Sequence, residues 1–253
     1  MRFLADTWIV FVRAMRLSLR QPLWVAIGLM QPILYLTLFG PLLVPLAATP
    51  GFPEGDAWTI FVPGLLVQLG IFGGLFVGFG IIAEWRSGVI ERMLVTPASR
   101  TALIAGRVLR DVVVLVVQAI VLMGCAWLFG LRITPAAFVL ALVMIALLGA
   151  AFSSFSYAMG LVTKSEDAFA PLVNSLALPV LLLSGILLPM SLAPDWLQAI
   201  ANANPFKHIV EAMRAVFRGE VASLIVGLGL GLALALIAAF GWLGARVMAR
   251  QTR

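Results

Sequence analysis

Residue types that commonly carry catalysis or bind metals are sparse in this sequence. It holds one cysteine, Cys125, and one histidine, His208, so it offers neither a disulfide nor the ligand spacing of a metal site. Cys125 lies in an apolar run and is expected to be a small buried hydrophobe, and His208 is expected to make a structural hydrogen bond. No metal ion and no catalytic residue is therefore predicted. The residues that stand out are the charges of EWRSGVIERMLVTPASR, residues 84–100, between two long charge-free stretches.

This charged segment has the composition of a docking element. A helix is predicted from Glu84 to Val95, and Thr96-Pro97 is expected to end it because the residue before a proline is pushed out of the α region. A second basic stretch, SRTALIAGRVLRD, then leads into the next apolar run. A short charged helix of this kind suits docking into a cleft of a soluble partner. A solvated loop with a positive anchor is the alternative, and the pattern alone does not choose between them.

Composition indicates a membrane protein. The chain is 62% hydrophobic and 11% charged, whereas soluble domains are about 25% charged. The net charge of +6 is scattered at the ends of apolar runs, with no basic stripe interleaved with aromatic residues, so nucleic-acid binding is not expected. Residues 1–253 are predicted to form a single membrane domain.

The apolar runs predict transmembrane helices. Each is at least 20 residues long, which is the length that a helix needs to cross roughly 30 Å of hydrocarbon. They lack the polar face of a soluble helix and the alternation of a β-barrel strand. The runs cover residues 21–53, 57–83, 112–131, 133–163, 168–194 and 221–245. The predicted fold class is an all-α integral membrane protein with six transmembrane helices.

Charge distribution predicts the orientation. An even number of spans puts both termini on one side, and the segments predicted on that side hold 13 of the 17 Lys and Arg residues. Positive residues favour the cytoplasm, so both termini are expected to be cytoplasmic. Low lysine with abundant Ala, Gly and Arg is typical of a high-GC bacterium, and the expected location is the bacterial plasma (inner) membrane.

Two further segments are amphipathic. Residues 2–20 are predicted to form an N-terminal interfacial helix with its apolar face in lipid, and Arg13, Arg16 and Arg20 lie on its charged face. A plain lipid anchor and a partner contact both remain open for this helix. Residues 195–220, between spans five and six, are predicted to form a broken pair of short outer helices that end at Gly219.

The outer helices carry a charged face. Lys207, Glu211, Arg214 and Arg218 share it, and the pairs Lys207–Glu211 and Glu211–Arg214 have ion-pairing spacing. The segment either gates an exit or caps the bundle. The candidate gate residues are Trp196, Asn204, Pro205, Glu211 and Arg214.

Both charged segments resemble motifs of the type-2 ATP-binding-cassette (ABC) exporter permeases, of the daunorubicin-resistance type. The first motif is matched by Gly88, Glu91, Met93, Leu94, Thr96 and Pro97, and downstream by Gly106, Arg107 and Asp111. The second is matched by Pro194, Trp196, Leu197, Asn204, Pro205, Glu211, Arg214 and Gly219. Many relatives have Glu-Arg-Glu where this chain has Glu84-Trp85-Arg86, and Thr in place of Val89. These departures leave open which charge makes the main contact with the motor.

The resemblance implies a mechanism. The permease would form a dimer, of two identical chains or with a sister permease, and bind two copies of a separate ABC ATPase that hold ATP and Mg. This chain has no G-x-x-x-x-G-K-[ST] motif, and neither lysine follows a glycine, so ATP hydrolysis is expected from the partner. The residues that the resemblance assigns to ATPase coupling are Glu84, Arg86, Gly88, Glu91, Arg92, Thr96, Pro97 and Arg100. The path is expected at the dimer interface, lined by the first, second and fifth spans.

The expected function is that of a transmembrane permease subunit in an ATP-driven exporter. The low charge of the spans favours a hydrophobic or amphiphilic cargo, such as a drug, a lipid or a polyketide. An ion-gradient-driven secondary carrier or channel is the alternative, and an intramembrane Asp or Glu would favour it. A non-transporting membrane scaffold is a third possibility.

Overall fold

The computed structural model describes residues 2–46, 56–95, 99–187 and 189–250, and within these ranges the chain is helical without strands. The first seven α-helices are α1 (Arg2–Arg20), α2 (Pro22–Leu34), α3 (Gly40–Leu46), α4 (Ala57–Leu75), α5 (Gly78–Arg86), α6 (Val89–Leu94) and α7 (Arg100–Leu128). They are followed by α8 (Pro135–Thr163), α9 (Glu166–Leu183), α10 (Asp195–Asn202), α11 (Pro205–Phe217) and α12 (Leu224–Arg250). A π-helical turn, Tyr35–Phe39, joins α2 to α3, and a 3₁₀ turn, Met190–Leu192, precedes α10.

Six helical stretches are long and apolar enough to cross a membrane. They are Val25–Pro45, Ala57–Arg86, Arg100–Leu128, Pro135–Thr163, Glu166–Leu183 and Leu224–Ala249. The predicted all-α membrane fold with six spans is therefore confirmed. The third span begins earlier than predicted, at Arg100 rather than at residue 112, so charged residues lie in the same helix as the apolar run.

Helix α8 is the centre of the bundle and packs against α4, α7 and α12. The main core surrounds it, and a smaller apolar cluster that includes Val10, Ile90 and Met248 joins α1, α6 and the end of α12. Both ends of the described chain therefore lie at one end of the bundle, which is called the terminal face below. The opposite end of the bundle, where α10 begins and α11 ends, is called the far face.

The second span is interrupted between α4 and α5, and a serine of α8 compensates the break. The Ser156 hydroxyl accepts a hydrogen bond from the Gly78 N–H at 2.8 Å and donates one to the Leu75 carbonyl. Such compensation matters because a bilayer offers no water to a free backbone group. A Cβ at Gly78 would lie 2.7 Å from the Ser156 carbonyl oxygen, so glycine permits this approach.

The N-terminal amphipathic helix is confirmed. Its apolar residues Leu4, Trp8 and Leu19 are exposed, as the prediction of a lipid-facing side requires. Its other side lies on α7, where a Cβ at Gly106 would be 2.6 Å from the Thr7 carbonyl oxygen and 2.7 Å from the Val10 Cβ. The absence of a side chain at Gly106 therefore sets the distance between α1 and α7.

The single helix predicted from Glu84 to Val95 is wrong. Helix α5 ends at Arg86, and α6 begins at Val89 after Gly88, whose φ is +70°. A left-handed residue cannot continue an α-helix, and glycine adopts that conformation without a steric cost. The predicted stop at Thr96-Pro97 falls outside the described residues.

Replacing Gly106 with leucine should release α1 from α7. The new side chain meets backbone atoms that cannot move without shifting the whole helix, and overpacking of this kind costs about 1–3 kcal/mol. We expect trypsin to cleave the detergent-solubilised chain after Arg13 and Arg16 roughly ten-fold faster. Gly124→Leu, in the same helix with no atom within 4 Å of the added Cβ, is the control. Equal cleavage rates in the two variants would contradict the packing role of Gly106.

Candidate functional site

Helix α6 presents charge outward and an apolar residue inward. Ile90 is buried in the terminal-face cluster, whereas Glu91 and Arg92 are exposed. Arg92 folds back over the break, where its Nε donates to the Gly88 carbonyl and its Nη2 to the Ser87 carbonyl, both at 3.2 Å. Within the described residues, Glu91 takes part in no ion pair. Its carboxylate is therefore directed at solvent or at a partner.

The two charged residues before the break are engaged inside the chain. Glu84 forms an ion pair with Arg107 of α7, and Arg86 lies 3.5 Å from Glu166 at the start of α9. Of the other residues predicted to couple to an ATPase, Arg100 opens α7 and is exposed, and Thr96 and Pro97 lie outside the described residues.

The charged face of α1 lies beside α6. Arg13 Nη1 donates to the Met93 Sδ at 3.0 Å, and the Asp6 carboxylate accepts from the Ser99 N–H at 3.0 Å. Arg16 and Arg20 are exposed further along the helix. Helix α1 is thus attached to the segments on both sides of residues 96–98.

A charged cluster lies directly beneath this surface, formed by Glu84, Arg107, Arg110, Asp111 and Tyr157. The Tyr157 hydroxyl donates to Asp111 Oδ2 at 2.5 Å, and Arg110 Nε lies 3.1 Å from Asp111 Oδ1. Arg110 also donates to the Ser18 hydroxyl at 3.1 Å. The cluster therefore joins α1, α5, α7 and α8, and each buried carboxylate in it has a cationic partner, as burial requires.

Sequence reasoning found this cluster only in part. Arg107 and Asp111 belong to the resemblance, but neither they nor Arg110 and Tyr157 were predicted as site residues. The available signal was the spacing of Arg107, Arg110 and Asp111, which places three ionisable side chains on neighbouring turns of one helix. The charge-free run predicted as the third span begins at residue 112, and the helix that contains this run also carries Asp111, which is 3% exposed.

A cavity of about 1050 Å³ opens beside the charged cluster. Helices α1 and α2 form one wall, and α4, α5 and α7 form the other. Its lining runs from Arg13 and Arg107 at the terminal face to Gln118 deeper in the bundle, with Phe72 and Phe76 between them. A space large enough for a drug-sized or lipid-like molecule thus lies between the first span and the second and third, and its inner end is closed where Gln118 Nε2 donates to the Val25 carbonyl at 2.8 Å.

The broken outer helices are confirmed, and they form a re-entrant hairpin. Helix α10 runs inward from the far face, and α11 returns from Pro205, with the Asn204 side chain accepting the Phe206 N–H at 3.0 Å. The Phe206 ring lies 5.5 Å from that of Phe152, which is past the midpoint of α8. The tip of the hairpin therefore reaches deep into the bundle, while Trp196 of α10 stays exposed.

Polar contacts stabilise the hairpin. Lys207 pairs with Glu211 at 3.4 Å, as its spacing predicts. The His208 ring nitrogen Nε2 lies 3.0 Å from the Asn202 carbonyl oxygen, which confirms the structural hydrogen bond expected for this residue.

Arg214 is not on the exposed face where the helical pattern placed it, and its predicted pair with Glu211 is replaced by other contacts. It is 6% exposed and donates from Nε to the Ile60 carbonyl at 3.0 Å and from Nη2 to the Gly185 carbonyl at 2.7 Å. Burial lowers the pKa of Arg214 to about 10. The helical pattern wrongly predicted that Arg214 is exposed, because α11 lies between α4 and α12 and has little solvent-facing surface.

Removing the Tyr157 hydroxyl should destabilise the bundle. Tyr157→Phe removes one charge-assisted hydrogen bond from the buried Asp111 carboxylate, which costs about 1.5–3 kcal/mol. We expect a lower thermal unfolding midpoint in detergent. Tyr35→Phe is the matched control, since the Tyr35 hydroxyl is 3.4 Å from its partner Gln31 Nε2. The same shift in both variants would show that the bond to Asp111 is not important for stability.

Arg214→Lys should also lower stability, although charge is conserved. One ammonium group cannot reproduce two donors directed at carbonyls of different elements, so a loss of about 1–3 kcal/mol is expected. Arg218→Lys, in an exposed pair with Glu220, should change the unfolding midpoint very little. If both lysine variants melt at the wild-type temperature, the two carbonyl contacts do not hold the hairpin.

Comparison with known proteins places the sequence in a family. The model of the family described as ABC-2 type transporter matches residues 5–217. A putative transport permease, ycf38 of Cyanophora paradoxa, is 25% identical over 217 residues, covering 85% of this chain and 75% of that protein. The daunorubicin resistance ABC transporter permease protein DrrB1 of Streptomyces coeruleorubidus is 28% identical over 189 residues, covering 74% and 67%.

A probable multidrug ABC transporter permease, YbhR of Escherichia coli (strain K12), is 24% identical over 179 residues, covering 69% of this chain and 48% of that protein. The family match spans most of the chain, including the first motif, the second motif as far as Arg214, and five of the six spans. The sequence-based resemblance is thus confirmed: the chain belongs to the ABC-2 type transporter family and is a permease subunit of an ABC exporter.

Proposed function

We propose that this permease exports a hydrophobic or amphiphilic compound, driven by an ABC ATPase that docks on α6. The observation that carries the proposal is the two-sided character of α6, with Glu91 exposed and Ile90 buried against the terminal-face cluster. A partner that binds the exposed side displaces the buried side, and the displacement passes directly into the spans.

The motor is proposed to be a separate subunit. The sequence has no phosphate-binding loop of the G-x-x-x-x-G-K-[ST] type, so ATP and Mg are assigned to the partner, in two copies. Because Glu84 and Arg86 are already paired within the chain, Glu91 is the carboxylate best able to contact the motor. The charged cluster then links the movement of α6 and α5 to α1, α7 and α8.

The terminal face is proposed to be cytoplasmic, in the plasma membrane of a bacterium. The charge distribution supports this orientation, because 13 of the 17 Lys and Arg residues lie in segments of this side and positive residues are retained in the cytoplasm. A docking surface for a cytoplasmic ATPase has to face the same way.

A permease dimer, with two copies of this chain as the simplest case, is proposed from uneven burial. In the most apolar part of the second span 67% of the residues are buried within the chain, against 22%, 17% and 17% in the first, fifth and sixth. These exposed spans supply apolar surface for a partner subunit, and the first and fifth are proposed to line a path between subunits. The hairpin of α10 and α11 is the proposed outer gate. Its tip reaches deeper into the bundle than a segment that only covered the far face would.

The ion-gradient alternative is less well supported. Asp111 is an intramembrane carboxylate of the kind that proton-coupled carriers use. However, it is fixed between Arg110 and Tyr157, and a carboxylate held by a cation and a hydroxyl is poorly suited to take up and release a proton.

Affinity purification of the chain from its native membranes, in a mild detergent, tests the motor hypothesis. We expect a Walker-motif ATPase to co-purify in a roughly one-to-one ratio. Glu91→Arg should reduce the co-purified ATPase roughly ten-fold or more, because a reversed charge loses a charge-assisted contact and adds repulsion.

Glu220→Arg, an exposed acidic residue at the far face, is the matched control and should leave the ratio unchanged. If no ATPase co-purifies with an intact, correctly folded chain, the motor hypothesis is wrong. If the ATPase persists with Glu91→Arg, the motor exists but docks elsewhere.

A further inference from the structure

One charged residue that lines the cavity beside the charged cluster, Arg13, takes part in no ion pair among the described residues. Three carboxylates line it, from Glu84, Asp111 and Glu166, and each is paired with a guanidinium group, from Arg107, Arg110 and Arg86 respectively. Arg13 also lines the cavity and is exposed, and its described hydrogen bond is to the neutral thioether of Met93. An anionic head in this space can therefore pair with Arg13 without breaking an ion pair that the chain already makes.

The rest of the cavity is suited to an apolar chain. Phe72, Phe76, Phe79 and Leu115 line it beyond the charged end. From Arg107 to Gln118 the wall follows α7 for eleven residues, or about 16 Å at the rise of an α-helix. That depth is about half the thickness of the hydrocarbon core of a bilayer.

The cavity is open. Leu17, Ile27 and Phe76 line it and are 47%, 41% and 41% exposed. Ile27 and Phe76 belong to the first and second spans, so a molecule can reach the space from the side, at the level of the leaflet next to the terminal face, without crossing the charged surface.

We infer that this cavity binds an amphiphile with one apolar chain and an anionic head, a phosphate, sulfate or carboxylate, with the head at Arg13 and the chain directed toward Gln118. The inference deepens the proposed function and rests on it, because it gives the charge of the cargo's head and the place where the cargo is first bound. The anion would bind Arg13 through charge-assisted hydrogen bonds. The aromatic residues would exclude water from the chain.

Binding is measured on the full-length chain in a neutral maltoside detergent. The probe is a lysophosphatidate that carries pyrene at the end of its acyl chain, followed by energy transfer from the tryptophans of the protein. Dodecyl phosphate should displace it at much lower concentration than dodecyltrimethylammonium. Inorganic phosphate should not displace it, since it has no chain to occupy the apolar part.

Two pairs of variants test the location. Arg13→Gln should weaken binding roughly ten-fold, whereas Arg16→Gln, on the same helix but outside this cavity, should change it less than about two-fold. Gly80→Leu should also weaken binding roughly ten-fold, because its side chain enters the cavity with no atom within 4 Å of the new Cβ. Gly231→Leu in α12, with equally open surroundings, should not. Ala83→Leu, one turn further along the cavity wall, repeats the filling test.

Equal effects of Arg13→Gln and Arg16→Gln, with no effect of Gly80→Leu and Ala83→Leu, would mean adsorption to the surface of α1 and would overturn the inference. Stronger displacement by the cationic detergent would overturn it as well. The assay contains no ATPase, so its failure leaves the docking result at Glu91 untouched. A failure of docking likewise leaves the binding result standing.

Discussion

A polypeptide in a bilayer cannot leave a backbone group or a charge without a partner, because hydrocarbon offers none. The interruptions of this bundle obey that constraint. The break between α4 and α5 is compensated by the Ser156 hydroxyl on both sides. At the π turn of the first span, the Gly40 N–H donates to the carbonyl of Tyr35, five residues earlier. The far end of α9 is compensated by Arg214, which donates to the Gly185 carbonyl. The π turn supplies its own partner, whereas the other two interruptions take theirs from another helix and so also tie two elements together.

The same constraint organises the charges. Arg107, Arg110 and Asp111 lie on neighbouring turns of α7, and their partners come from α5, α1 and α8. A helix that moves out of this cluster removes an ion-pair or hydrogen-bond partner from a buried charged group, which is costly. The cluster therefore favours joint movement of these four helices over independent movement. Joint movement is required if a displacement of a surface helix is to reach the spans.

Much of the architecture could be predicted from sequence. Length and hydropathy were sufficient for six spans, and the alternation of arginines with Leu4, Trp8 and Leu19 was sufficient for α1. Helical periodicity gave wrong predictions where a helix is buried on more than one side and where a residue leaves the helical conformation. It placed Arg214 in solvent because it treated α11 as a surface helix, and it made 84–95 continuous because Gly88 is compatible with a helix until its φ is known. Tyr157 could not be assigned because its partner is 46 residues away in sequence.

The left-handed glycine between α5 and α6 also has a mechanical consequence. A continuous helix would act as a lever arm, transmitting both thrust and torque from its end to the membrane. Across Ser87 and Gly88 the helical ladder is interrupted, so twisting of α6 is absorbed at this joint. Thrust is still transmitted through the contact of Ile90 with the terminal-face cluster. If a subunit docks on α6 as proposed, this joint would let it rotate without unwinding the second span, and its inward and outward movements would reach the bundle through Ile90.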